Sequence, residues 1–165
     1  MFNKIKKIQL KKHKSKIVSL TAYSRNFSKI LDKHCDIILV GDSMANVLYG
    51  MKNTHKITLD TIIQHSISVK KGIKKSLLVV DMPKGSYNNP TQAKKNAQII
   101  FKKTNCDAVK IESNNKNFKI IREITKAKIP VMGHIGYTPQ FKSKFRVEGK
   151  NKKDTNKLIK EAELI

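Results

Sequence analysis

The chain has 165 residues, 39% of them hydrophobic, with two cysteines and a formal charge of +23 at neutral pH; its mean hydropathy is -0.45. That length suits one domain, residues 1–165, with a single core. No apolar stretch approaches the roughly 18 residues of a membrane span, the basic Met1–Lys16 segment lacks the apolar run of a signal peptide, and Cys35 and Cys106 do not indicate a disulfide framework, so the expected compartment is the cytoplasm.

Of the 35 basic residues only Arg25, Arg122 and Arg146 are arginines. A nucleic-acid reader usually shows arginine forks, stacking aromatics and a docking motif. Here Lys70, Lys71, Lys74, Lys75, Lys94, Lys95, Lys102 and Lys103 fall on expected outer helices and their ends. The charge reads as a solvated lysine-rich surface that attracts polyanions weakly and in a salt-sensitive way. Specific nucleic-acid binding is not expected, although a basic nucleic-acid-binding module is the rival reading that a gel shift across rising salt would separate.

Lys16–Ala22 reads as a first strand and Arg25–His34 as a helix. A second strand, Asp36–Val40, runs into Gly41-Asp42-Ser43, and a less regular stretch, Met44–Ile57, follows. Thr58 is a suitable N-cap for a helix reaching about Lys71, with Ile62, Ile63, Ile67 and Val69 on its apolar side and Gly72 ending it. Ser76–Val80 is the third strand, followed by a turn-rich loop from Pro83 to Pro90. Thr91–Lys103 is a helix that turns Ala93, Ala97, Ile100 and Phe101 inward. A fourth strand, Asp107–Glu112, a helix, Asn117–Lys126, and a fifth strand, Ile129–Met132, come next. A long polar loop, Gly136–Lys152, leads to a last helix, Lys153–Ile165. This alternation gives right-handed βαβ units and a parallel sheet. Doubly wound sheets and (β/α)8 barrels both fit, but no Gly-x-Gly-x-x-Gly follows the first strand.

Four apolar runs end on chemically capable residues: Asp42 with Ser43, Asp81, Glu112 and His134. Functional side chains at the carboxyl ends of consecutive parallel strands are the pattern of an α/β active site. Neighbouring strands lie about 4.8 Å apart, so Asp42, Asp81 and Glu112 can converge on one cation. An all-oxygen donor set suits a hard ion, Mg²⁺ before Ca²⁺. The plainer reading, acids that cap helices or solvate loops, fits one such residue better than three on adjacent strands. Lys110 is two residues from Glu112 and shares its face; there it would pair with a substrate carboxylate or with one of the acids. Ser43 offers a hydroxyl to a carboxylate ligand, or is an ordinary turn serine. His134 is a candidate accessory ligand or proton-transfer group, or a hydrogen-bonded structural histidine. His65 reads as helix packing, and Cys35 and Cys106 as small apolar residues.

Leu20-Thr21-Ala22-Tyr23, Val40-Gly41-Asp42-Ser43, Thr58-Leu59-Asp60, Asp81-Met82-Pro83 with Gly85-Ser86-Tyr87, Val109-Lys110-Ile111-Glu112 and Val131-Met132-Gly133-His134-Ile135-Gly136-Tyr137-Thr138-Pro139-Gln140 occur in that order. Together they resemble the ketopantoate hydroxymethyltransferase family from Lys16 onward. The resemblance implies a TIM-type (β/α)8 barrel, here with about five parallel strands. It also implies transfer of a hydroxymethyl group from 5,10-methylenetetrahydrofolate to 3-methyl-2-oxobutanoate with Mg²⁺, giving 2-dehydropantoate for pantothenate synthesis, in a cytoplasmic decamer. Its metal positions fall on Asp42, Asp81 and Glu112, and its ketoacid positions on Asp42, Ser43, Asp81 and Lys110. In the family the general base is a glutamate ending a sixth strand, beyond Ile165. The expectation is therefore an incomplete barrel with no catalytic base in residues 1–165. Two versions of that expectation differ: part of a working transferase, or an inactive remnant that still binds Mg²⁺ and the ketoacid. A sister lyase or mutase of the same barrel type is a further alternative. Departures from the family pattern are Ser24 for a common Asp, Ala45 for a Gly, Lys84 for an aromatic, and Ser143-Lys144 for paired glycines.

Overall fold

A computed structural model describes residues 2–113, 117–142 and 146–165. Five parallel strands form one sheet in the order β1-β2-β3-β4-β5: β1 Ser19–Thr21, β2 Ile37–Val40, β3 Leu77–Asp81, β4 Ala108–Glu112 and β5 Val131–His134. A doubly wound sheet reverses its strand order at a switch point. Here each strand pairs with the next in sequence, which is the arc of a (β/α)8 barrel.

The sheet has two differently covered faces. Ile38, Val40, Leu78, Val80, Val109 and Ile111 belong to the main core, with Ile62, Ile63 and Val69 of α4 (Leu59–Lys70), Ala93, Ala97 and Ile100 of α5 (Pro90–Thr104), and Ile120, Ile121 and Ile124 of α6 (Phe118–Lys126). The alternate residues Ile37, Leu77, Val79 and Ala108 form a second cluster with Ile5 and Ile8 of α1 (Phe2–Gln9). That inner face is the one a closed barrel turns toward its axis. Helix α1 sits at the amino ends of the strands, where Lys4 Nζ donates to the Ser76 carbonyl at 2.9 Å. The opposite, carboxyl end is left to the polar residues.

The strand–helix alternation is as the sequence predicts, with changes at the margins. The first strand is shorter than expected, α2 covers Arg25–Leu31, and α7 covers Lys152–Glu163. The fifth strand starts two residues late, because Lys128 takes a left-handed turn (φ 60°) and Pro130 has no N–H to pair. The short α3 (Met44–Val47) and a single 3-10 turn, Thr54–Lys56, lie in the stretch expected to be less regular, and helix α1 lies in the basic amino-terminal segment, to which the sequence reading assigns no element. Of the departures from the family pattern, Ser143-Lys144 lies outside the described residues. Ser24 occupies the N-cap position of α2 without a side-chain capping bond, and Lys84 lies beside His55.

Candidate active site

Asp81, Lys110 and Glu112 share the inner face because the two-residue strand period carries on from Leu77 and Val79 in β3 and from Ala108 in β4. Register sets Asp81 against Lys110 and Glu112 against His134. Lys110 Nζ donates to Asp81 Oδ1 at 2.8 Å. Asp42 arrives by a different route. Strand β2 stops at Val40, and the Asp42 backbone N–H donates to Asp81 Oδ2 at 3.1 Å. A Cβ on Gly41 would lie 3.0 Å from Ser43 Oγ and 3.4 Å from Asp81 Oδ2. Glycine here leaves the Ser43 hydroxyl its place beside Tyr23.

Gln140 joins the acids. Its Nε2 donates to Asp42 Oδ2 at 2.8 Å and to the Met82 carbonyl at 3.1 Å. Its backbone N–H donates to Glu112 Oε2 at 3.0 Å, and its Oε1 accepts a hydrogen bond from the Tyr87 hydroxyl. The three predicted carboxylates thus meet in one connected, buried network at the carboxyl end of the sheet. They do not point bare at a common centre: among the described residues, no group of three His, Cys, Asp or Glu side chains is arranged to hold an ion. Donors from Lys110 and Gln140 stand between anions that would otherwise repel one another.

The cluster is electrostatically unfavourable to its own charges. Burial, followed by the Asp81 charge, raises Asp42 above the ordinary carboxylate range. Burial also raises Asp81, against the opposing pull of Lys110. Burial and the Asp42 charge push Glu112 to about 7, with the Gln140 N–H acting the other way. Among the described residues two buried polar atoms at the margin lack a hydrogen bond of normal length: Thr54 Oγ1, which is still near enough to Asp42 to pull its pKa down, and His134 Nδ1. The latter lies 3.9 Å from Glu112 Oε1, and burial and then Lys110 lower the His134 pKa. An all-oxygen set of buried carboxyls whose charged form burial opposes fits a hard divalent cation, which would stabilise the charged carboxylates.

Ser43 is exposed at the rim, and its Oγ is 2.8 Å from the Tyr23 hydroxyl. Behind Tyr23, His65 does more than pack. Its Nδ1 is 2.7 Å from the Tyr23 carbonyl and its Nε2 is 2.8 Å from the Tyr49 hydroxyl. Nδ1 faces an acceptor and so carries the proton. Cys106 is buried and its thiol is pushed up to about 11, chiefly by burial, in keeping with an inert apolar residue. Sequence reasoning did not single out Tyr23, Thr54, Tyr87 or Gln140. The only available signal was their place in or near the ordered motifs.

The family profile described as ketopantoate hydroxymethyltransferase matches residues 3–165. A 3-methyl-2-oxobutanoate hydroxymethyltransferase of Pelagibacter ubique is 48% identical over the whole chain, which covers 64% of that protein. Proteins of the same name from Chelativorans sp. and Anaplasma marginale are 41% and 42% identical over 93% and 96% of the chain, and are themselves covered to 56% and 58%. The chain thus spans less than two thirds of the length of these relatives. Among solved structures, 2,3-dimethylmalate lyase, a PEP mutase/isocitrate lyase superfamily member, matches with a TM-score of 0.60 at 13% identity, over 79% of this chain and 51% of that one. Phosphonopyruvate hydrolase crystallised with oxalate and magnesium matches with a TM-score of 0.60 at 10% identity, over 71% and 46%. The fold is therefore the (β/α) barrel fold of these enzymes, and the chain belongs to the ketopantoate hydroxymethyltransferase family.

Proposed function

We propose that the chain carries the metal- and ketoacid-binding half of a 3-methyl-2-oxobutanoate hydroxymethyltransferase. Family membership supports the reaction class. The observation that carries the site is the single buried network of Asp42, Asp81, Glu112 and Lys110 at the carboxyl ends of adjacent strands. In this reading Asp42, Asp81 and Glu112 hold Mg²⁺, which when bound supplies Lewis-acid polarisation of the substrate's oxo group. Lys110 reorients from Asp81 to the substrate carboxylate and Ser43 offers its hydroxyl to the same group, fixing the rotation of the ketoacid about its C1–C2 bond. Tyr23 holds the Ser43 hydroxyl in place. The burial that raises the three acids would also strengthen their attraction for the ion once it is bound. The one-carbon donor is 5,10-methylenetetrahydrofolate, the compartment the cytoplasm, and the assembly the family's decamer.

The test is calorimetric titration of 3-methyl-2-oxobutanoate into the chain with and without Mg²⁺, coupled to deuterium exchange at C3 in D₂O. Ketoacid binding that requires Mg²⁺ and is abolished by Asp81→Asn supports the reading. Binding of neither ligand would sink it. Exchange and hydroxymethyl transfer then separate a working transferase from a protein that only binds.

A further inference from the structure

Gln140 reaches further across this site than any acid, and the ketoacid chemistry above gives it no role. Gln140 is 3% exposed, and its contacts reach Asp42 beyond β2, Met82 beyond β3, Glu112 at the end of β4, and Tyr87 in the loop before α5. The orientation of the amide is fixed by its surroundings. The –NH₂ meets two acceptors, the Asp42 carboxylate and the Met82 carbonyl, while Oε1 meets the Tyr87 hydroxyl. Turning the amide over would set an oxygen against both acceptors. The segment that carries it is tied down as well, through the Pro139 carbonyl, 3.1 Å from His55 Nε2, and through the buried Thr138.

We infer that Gln140 is the positioning residue of the cation site. Its side-chain amide takes one oxygen of Asp42 (Oδ2) and its main-chain N–H takes one oxygen of Glu112 (Oε2). Each hydrogen bond restricts the rotation of its carboxylate and so the direction in which the other oxygen can meet an ion. This deepens the Mg²⁺ reading and rests on it. Outer partners that orient carboxylate ligands commonly govern affinity by about 10- to 100-fold. A buried network of this kind loses more when half satisfied than when intact.

The experiment is Mg²⁺ calorimetry on the 165-residue chain, with thermal melts of the metal-free proteins beside it. Gln140→Met keeps the length of the side chain and removes its hydrogen bonds. It is expected to weaken Mg²⁺ at least tenfold. In an Asp42→Asn background the same change is expected to cost less than about threefold, because the oxygen that Gln140 orients is then no longer a carboxylate ligand. A residue with only a packing role would lower the melting temperature and leave the Mg²⁺ affinity unchanged, or would cost the same in both backgrounds; either result overturns the inference. Should Gln140→Met fail to fold, Gln140→Asn, which withdraws the amide by one methylene, carries the same expectation at about fivefold or more, and an unchanged affinity there overturns it too. No Mg²⁺ binding by the unaltered chain is a different failure. It removes the metal reading itself.

Discussion

A buried carboxyl with its pKa at about 7 is neither a good structural anion nor an inert acid, and Glu112 is such a group. Between its ordinary value of 4.5 and about 7, the folded chain holds a proton there that the unfolded chain has lost. Metal-free stability from this group is therefore full below the lower value and declines as pH rises through the upper one. Cation binding runs the opposite way, since below about 7 the ion must displace that proton. Mg²⁺ titrations at about pH 5.5 and pH 8 are expected to show markedly tighter binding at the higher pH. Glu112→Gln is expected to weaken the affinity and to flatten its pH dependence; a wild-type affinity that does not change with pH would count against Glu112 as a ligand. Asp32 shows the reverse balance. Burial opposes its charge, but the N–H groups of Ser76, Lys74 and Lys75 and the Ser76 hydroxyl outweigh it and hold the carboxyl below its usual range. Stability from Asp32 is present above the ordinary carboxylate pKa and is lost as pH falls through the lowered one. Replacing it with Ala strands those donors and is expected to cost about 2–3 kcal/mol by denaturant melt at neutral pH, with the difference narrowing in acid.

Helix termini fix the loops that build the site, so the elements carry consequences of their own. Asn89 caps α5 by accepting from the Gln92 N–H at 2.9 Å, directly after the loop that presents Tyr87. Asn89→Ala is expected to cost about 1 kcal/mol in a denaturant melt. Gly72, where α4 gives way to β3, is a packing requirement: a Cβ there would lie 2.1 Å from Ser28 Oγ and 2.5 Å from the Arg25 carbonyl. Gly72→Ala is therefore expected to cost at least about 2 kcal/mol, because a carbonyl cannot swing aside as a side chain can. The same scale explains what could be read in advance. Short apolar runs such as Leu77-Leu78-Val79-Val80 are buried along their whole length and announce themselves as parallel strands, so Asp81 and Glu112 were legible as strand-end acids. Helix α1 was not, since its lysines mask the two isoleucines that pack under the sheet. Gln140 was not either. Its role is made by a loop returning across three strands, and no local periodicity encodes such a return.

At the scale of the molecule, two features pull in opposite directions. On its outer side β1 has no strand partner among the described residues, and Ile17, Val18 and Leu20 there, with Phe27 and Ile30 on α2, are each more than 40% exposed. An open apolar edge is a template for pairing with a second copy. The charge of +23 opposes that encounter, and it acts at long range. Unscreened repulsion between two such chains extends about 30 Å at 0.01 M salt but only about 3 Å at 1 M. Edge pairing gains backbone hydrogen bonds and apolar burial, neither of which salt screens. The balance therefore tips with ionic strength in a fixed direction. Sedimentation velocity is expected to show the smaller species at low salt and association as salt is raised, whereas charge-mediated clustering would dissolve under the same change. Leu20→Lys places a charge on the edge strand itself and is expected to keep the chain dispersed in high salt. Association in that variant equal to that of the parent would place the contact elsewhere on the molecule.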